Sequence, residues 1–378
     1  MSENLKICIF PNDPLIAYYN KGEIKNRYYN PCEIFDEVHV LSFTDKEIDE
    51  EKVQSLVGKA KLKIHCVGKI NFKNRKKHEK QIIQLVKEIN PNVIRSYNSL
   101  LQGWCAASCS KNLKIPFFLS LHTQYDYYRA LAKKNNLKKY LSLKYTEKFI
   151  EPFVIKNADK ITIVYKIIEP YVLKHGGKKP ELLYNKVNLD RFQNGLIIES
   201  LPQPLIISVG SLTKEKNHRC LIEAMKQVGG HCLIIGNGVL YDELIQLIRK
   251  NNLEKKITIK KSVQNKEIQN YYKSASVFAL CFDPELEGLP IPIMEAMAAG
   301  LPVIMPYPKV GFSEGLDNIA IFSERSSQAF AEKINLLLKN ENLRRKFSEL
   351  SAEKAKSFDS EKLEEKEAQI YRDLIYKN

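Results

Sequence analysis

The sequence predicts an α/β protein built of two doubly wound domains that face each other across a central cleft. Three observations carry this. Short apolar runs such as 5–10, 92–97 and 205–209 alternate with stretches of helical period, as buried parallel strands do when helices cross between them. The rhythm restarts after Pro202 and Pro204, which mark a linker. The length of 378 residues suffices for two ordinary domains, each with its own core. The boundaries expected are 1–197, 204–358, and a terminal helix over 359–378 that packs back towards the first domain.

In the first half, strands are expected at 5–10, 37–42, 62–67, 92–97, 114–122 and 160–165. Helices are expected at 75–89 and 100–111, with a tyrosine-rich polar loop over 18–31. A long amphipathic helical pattern runs from Tyr125 to Ile155, with Arg129, Lys133, Lys134, Lys138, Lys139, Lys144 and Lys148 among leucines and tyrosines. Such a face over 129–148 suits either an anionic membrane surface or plain solvent. In the second half, strands at 205–209, 232–235, 257–260, 277–281 and 303–305 alternate with helices at 218–228, 239–251 and 265–275. Three helical segments between 326 and 376 finish the chain.

Composition narrows the classes. Apolar residues at 44% and aromatics at 10% describe a folded domain protein. The net charge of +15 is concentrated in residues 1–200, which hold 34 Lys and Arg against 21 Asp and Glu. That asymmetry admits an anionic partner or a general bias towards lysine. Eight cysteines without a CxxC, most inside apolar runs, read as reduced buried thiols, and no zinc spacing is present. The longest apolar stretch, near 288–306, is interrupted by Glu295 and four prolines, so it is no membrane span. A cytoplasmic protein is expected, peripheral to the inner face of a membrane if the basic helix docks there.

The chemistry gathers around 287–304, EGLPIPIMEAMAAGLPVI. Pro290 and Pro292 disfavour helix at Leu289 and Ile291, so Glu287 is expected in a loop. Pro292 suits the first position of a short helix closed by Gly300 and Pro302, which puts Glu295 in its first turn. Two carboxylates would then stand beside the backbone N–H groups of Gly288 and Leu289 and a positive dipole end, a place to hold a phosphorylated sugar. Alternatively, Glu295 serves the dipole and Glu287 only meets water. After other strands come Gly210, Ser211 and Lys216, then the turn at Gly236 and Gly238, and from the first half His122. The glycines would let backbone approach a ligand closely, and Lys216 would meet a diphosphate.

This ordered set resembles the large retaining glycosyltransferase family of GT-B fold called family 4, whose two domains are Rossmann-like. The E-x7-E motif is matched by Glu287 and Glu295. GSLTKEKN (210–217) and LIIGNG (233–238) are similar to its donor loops, and NPNVI, IPFFLSLH, NADKITIV and YNKVNLDRF resemble its landmarks in the first half. The resemblance implies that Lys216 neutralises the donor diphosphate, Glu295 holds the ribose hydroxyls, Glu287 touches the transferred sugar, the N–H groups of Gly288 and Leu289 cradle phosphate, and His122 sits near the sugar's reacting face. It implies a UDP- or GDP-linked donor, a glycan or lipid-linked acceptor in cell-surface polysaccharide assembly, no cofactor and no bound metal. The sequence departs from the pattern at Ser211, in place of a frequent second arginine, and at Lys186 and Lys261, near usual glycines. Pro11-Asn-Asp-Pro14 replaces a glycine-rich first loop. A nucleotide-sugar 2-epimerase shares this architecture. A non-catalytic nucleic-acid binder draws only on charge, since no RNA-binding aromatic signature accompanies it, and no nucleic acid is expected.

Overall fold

A computed structural model describes residues 4–22 and 24–376. The chain forms two compact units, residues 1–184 with 362–378 and residues 185–361. Both are Rossmann-like α/β folds in which every named strand pairs in parallel.

In the first unit the strands are β1 (Lys6–Phe10), β2 (Glu37–Ser42), β3 (Lys61–Cys66), β4 (Val93–Ser96), β5 (Phe117–Leu121), β6 (Lys160–Ile163) and β7 (Glu181–Leu182), in the order β3-β2-β1-β4-β5-β6-β7. Ile7, Ile9, Val93 and Phe118 are fully buried, because a parallel sheet is covered on both faces and its central strands are mostly apolar. Helices α1 (Leu15–Asn20), α2 (Arg75–Ile89) and α3 (Leu101–Leu113) precede a helical stretch that the sequence suggests is continuous. It is three helices, α4 (Asp126–Asn135), α5 (Leu137–Phe149) and α6 (Glu151–Lys156). Asn136 makes the first break: its backbone is extended and its side chain accepts from the Lys139 N–H, capping α5. The short helices α1 and α7 (Glu169–Lys174) and strand β7 escape the sequence reading, being too brief to show a period.

The second unit begins with α8 (Leu189–Gln193) and holds β8 (Leu205–Val209), β9 (His231–Ile235), β10 (Ile257–Lys260), β11 (Val277–Ala279), β12 (Val303–Pro306) and β13 (Ile321–Ser323), ordered β10-β9-β8-β11-β12-β13. Its helices are α9 (His218–Ala224), α10 (Tyr241–Lys250), α11 (Ile268–Lys273), α12 (Ile291–Ala298), α13 (Ser327–Lys339) and α14 (Glu341–Ala355). The division lies after Tyr184, ahead of the proline linker at 202–204. The reason is packing: Phe192 meets the Tyr272 ring edge-on at 5.6 Å, Arg191 bonds Gln269, and the Leu196 and Ile198 amides bond Asn270 and Ser274.

The last helix, α15 (Ser360–Tyr376), belongs to the first unit from Lys362 onward. Tyr371 inserts edge-on between Phe35 and Phe118. Glu367 pairs with Arg95 of β4, a guanidinium 3% exposed that also donates to the Tyr371 hydroxyl at 2.6 Å. A buried charge is tolerable only with such partners.

Candidate functional site

The strand order of the second unit reverses direction at β8 and β11, which lie side by side while their connections leave to opposite sides. The loops beyond the carboxyl ends of two such strands diverge and leave a crevice, the usual ligand site of an open parallel sheet. The loop after β8 carries Lys216, and the loop after β11 carries Glu287. They are tied by the Asp283 N–H, which donates to the Glu215 carbonyl at 2.8 Å. The tie brings Lys216 Nζ to 2.5 Å from Glu287 Oε2, with the side chains 13% and 25% exposed. The two residues singled out, 71 apart in sequence, therefore form one half-buried ion pair.

Two further groups shape the lysine loop. Asn217 takes the left-handed backbone that asparagine tolerates and precedes α9. His218 follows, 2% exposed and beside Ser208, with Nδ1 at 3.4 Å from the hydroxyl oxygen. Burial, with the nearby charge of Lys216, pushes its imidazole down to about 4. His218 has no sequence signal beyond its place on the apolar face of α9.

Gly236 and Gly238 are required by the packing of two loops. A Cβ on Gly236 would collide with the Gly210 carbonyl, and one on Gly238 would lie 2.5 Å from the Leu212 carbonyl oxygen. These glycines let the loop after β9 pack on the loop after β8. The seam is closed by Leu212 N–H to Asn237 O at 2.9 Å and Gly210 N–H to Ile235 O at 3.0 Å. They position the Lys216 loop by backbone contact, while Ser211 on that loop is exposed.

Glu287 lies in a loop, and Gly288 and Leu289 are buried in the turn ahead of α12. Glu295 is displaced from its expected place. Helix α12 begins at Ile291, with Pro290 as its N-cap and Pro292 in second position, so Glu295 falls in the second turn. The disfavour that Pro292 imposes on Ile291 is outweighed by burial of Ile293, Met294 and Met297, none more than 1% exposed. The carboxylate consequently faces neighbouring helices: Glu295 Oε2 accepts from the Tyr272 hydroxyl of α11 at 2.9 Å, and Arg191 of α8 lies within its field.

His122 follows β5 in the first unit, whose own reversal lies between β1 and β4. There Asn98 Nδ2 donates to Asn12 Oδ1 at 2.9 Å, joining the loops after those two strands. The His122 ring lies 5.6 Å from that of Tyr97, whose hydroxyl is buried without a hydrogen-bond partner among the described residues. Burial, with the charges of Arg95 and Lys25, pushes the imidazole down to about 3, so it is neutral at physiological pH. A cavity of about 550 Å³ elsewhere in this unit is lined by Glu47, Asp49, Glu50 and Glu51, a poor lining for a phosphorylated ligand.

The basic 129–148 face is only partly as expected. Arg129 points inward, 4% exposed, bonded to Glu151 at 2.8 Å and Asp126 at 2.6 Å. Lys144 pairs with Glu147. Lys133, Lys134, Lys138 and Lys139 remain exposed around Leu137 and Leu141, which are 68% and 59% exposed. Of the cysteines, Cys66 is exposed and Cys32 half-buried, and the other six are buried. Among the described residues, no cluster of three or more His, Cys, Asp or Glu side chains could hold a metal ion, and no helix is long and apolar enough to cross a membrane.

Chemically, the crevice of the second unit holds an ammonium and a carboxylate, groups that can meet an anion and hydroxyl groups. Residues 197–354 match the family model "Glycosyl transferases group 1". The chain is 31% identical, over 49% of its own length and 52% of the relative's, to the N-acetylgalactosamine-N,N'-diacetylbacillosaminyl-diphospho-undecaprenol 4-alpha-N-acetylgalactosaminyltransferase of Campylobacter jejuni. It spans about half the length of the curated relatives it first matches. Its structure resembles a glycosyltransferase from Rickettsia africae with a TM-score of 0.75 at 17% identity, covering all of both chains. It resembles HepE of Anabaena in complex with UDP with a TM-score of 0.73 at 14% identity, covering 97% of this chain and 99% of that one. The fold is thus the GT-B architecture of these glycosyltransferases.

Proposed function

We propose that the chain is a glycosyltransferase that moves a sugar from a nucleotide donor to a glycan or lipid-linked acceptor in cell-surface polysaccharide assembly, with retention of configuration and without a bound metal. The observation that carries this reading is the Lys216–Glu287 pair at the strand reversal of the second unit, inside the stretch that matches the group 1 model. A UDP-linked donor is favoured by the likeness to a protein solved with UDP, and a lipid-linked acceptor by the likeness to a transferase named for an undecaprenol diphosphate.

In this reading charge develops on the leaving diphosphate as the glycosidic bond breaks, and Lys216 stabilises it in a half-buried setting where the interaction is stronger than in water. Glu287 accepts hydrogen bonds from hydroxyls of the transferred sugar, and the Gly288 and Leu289 amides donate to phosphate. The leaving phosphate takes the acceptor's proton. His122, a neutral imidazole, can hydrogen-bond a hydroxyl without adding charge. We further propose that Lys133, Lys134, Lys138 and Lys139, with Leu137 and Leu141, rest on an anionic membrane surface at its cytoplasmic face.

A panel of UDP-, GDP- and ADP-sugars, incubated with and without lipid-linked acceptors, tests the activity. Nucleotide released only when acceptor is present supports transfer, and an isomerised nucleotide-sugar would establish the 2-epimerase in its place. Flotation with anionic and neutral vesicles tests the surface, and equal recovery from both would count against it.

A further inference from the structure

We infer that Cys220 and Cys281 are a reversible disulfide pair beneath the Lys216 loop: a hydroperoxide joins the two sulfurs, a dithiol parts them, and their bonding shifts the loop. The pair stands on its own geometry, and only the effect on turnover stated below rests on the proposed donor site.

Side chains from three loops and a helix of the second unit meet at Cys281, just beyond β11. Asn217, next to Lys216 in the loop after β8, reaches it with Nδ2 at 3.5 Å from Sγ. Arg325, from the loop after β13, hydrogen-bonds the same sulfur and has Nη1 at 3.7 Å from Asp283 Oδ2. Cys220 approaches from the first turn of α9, and its thiol donates to the Cys281 sulfur. Two thiols that no sequence spacing connects are thus neighbours, and the group that links them to the crevice is Asn217.

The surroundings give the two sulfurs different roles. The Cys220 thiol donates to Cys281, Arg325 puts a positive charge beside it and Asn217 donates an N–H. Together these outweigh burial and hold the Cys281 thiol below its ordinary range. Cys220, which gives its hydrogen to that sulfur and is itself buried, is pushed up. Cys281 is therefore the thiolate that attacks, and Cys220 the thiol that resolves. The residues are 1% and 6% exposed, which slows attack. The Arg325 side chain that touches the sulfur is 40% exposed, however, and a rotamer change there opens a way for a molecule as small as hydrogen peroxide.

The Cys281 thiolate attacks one peroxide oxygen, the O–O bond breaks, and hydroxide leaves a sulfenic acid behind. The Cys220 sulfur gives up its proton and attacks the sulfenic sulfur, forming the S–S bond while the S–O bond breaks and water departs. Over both steps the thiols lose two electrons and two protons, and the peroxide becomes two molecules of water. An added dithiol reverses the bond by exchange and is itself oxidised. A covalent bond holds the sulfurs closer than contact does, so the first turn of α9 and the loop after β11 are drawn together. Asn217, whose left-handed backbone joins the Lys216 loop to α9, loses its thiolate partner at the same time.

The test uses the full chain carrying Cys32→Ser and Cys66→Ser, which removes the half-buried and the exposed thiol. This parent is treated with hydrogen peroxide, its free thiols are alkylated in denaturant, and its peptides are weighed. A Cys220–Cys281 cross-linked peptide is expected, lighter by two hydrogens and parted by dithiothreitol. Dimedone should label Cys281 in Cys220→Ala and leave Cys220 unlabelled in Cys281→Ala. Amide hydrogen exchange over 211–217 should change by about threefold or more when the parent is oxidised and return on reduction. Turnover with acceptor should fall about tenfold or more and recover likewise. No cross-link at a peroxide dose that exhausts free cysteine in solution would overturn the inference, as would dimedone on Cys220 in place of Cys281, or a cross-link that leaves exchange over 211–217 unchanged. If cross-link and exchange respond as expected while no nucleotide-sugar is turned over before treatment, the disulfide pair stands and the donor reading falls.

Discussion

The sharpest prediction concerns Lys216. Replacing it with alanine removes the cation from the reversal between β8 and β11 and leaves Glu287 without the ammonium that now lies 2.5 Å from it. Two magnitudes follow, and they separate. The side chains of the pair are 13% and 25% exposed, between a surface pair worth about 1 kcal/mol and a buried one that costs about 3–5 kcal/mol to break, so the expected loss of folding stability is about 1–2 kcal/mol. The transition state demands more, because removing one preorganised group aimed at developing charge costs about 3–4 kcal/mol, or roughly 100- to 1000-fold in kcat. The assay is donor turnover with acceptor present, followed as nucleotide release, for wild type, Lys216→Ala, Glu287→Ala and the double variant. Unfolding midpoints in urea are recorded for all four. Lys216→Ala should weaken nucleotide binding as well as turnover, while Glu287→Ala should abolish turnover and largely spare binding. The double variant should be no more than slightly worse than the poorer single, since residues acting on one transition state are not additive. Turnover of Lys216→Ala within about threefold of wild type would refute the assignment. A loss of several kcal/mol in stability with binding intact would show that the pair is structural.

Three other outcomes are expected. Glu367→Ala strands the buried Arg95 guanidinium and should cost about 3–5 kcal/mol of stability, visible in urea unfolding; a change below about 1 kcal/mol would contradict the burial of that pair. His218 stays neutral in the fold down to about pH 4, whereas unfolded it titrates near 6.5. Below that unfolded value the unfolded chain binds the extra proton, so stability from this group is present at neutral pH and lost as pH falls from about 6.5 to about 4. His218→Asn should therefore lose less stability than wild type between pH 7 and pH 5, and parallel losses would disprove the point. Gly238→Ala places a Cβ 2.5 Å from the Leu212 carbonyl oxygen and should cost about 1–3 kcal/mol and weaken nucleotide binding together, measured by thermal unfolding with and without UDP.

The pattern of the chain by itself determined the two doubly wound units and most of their elements. Strands of a covered parallel sheet read as short, mostly apolar runs, which makes 37–42, 205–209 and 257–260 readable to the residue. It also singled out Lys216 and Glu287, because polar groups following buried strands are where an open sheet presents its chemistry. Their partnership was not legible, since it depends on which strands adjoin, and β8 meets β11 across a separation that only sheet order supplies. The same limit hid the rest. Arg129 looked like one more cation on a basic face until Glu151 and Asp126 turned it inward. The packing need for Gly236 and Gly238 was equally hidden, because it is the loop after β8 that fills the space beside them. Glu295 lies in the second turn of α12 instead of the first because burial of its apolar neighbours drew the helix start back to Ile291. Its partners, Tyr272 and Arg191, come from helices that no local spacing connects to it. Period and composition act along the chain and can be read from it, whereas the direction of a charged side chain is set by whatever packs beside it, and that is decided only in three dimensions.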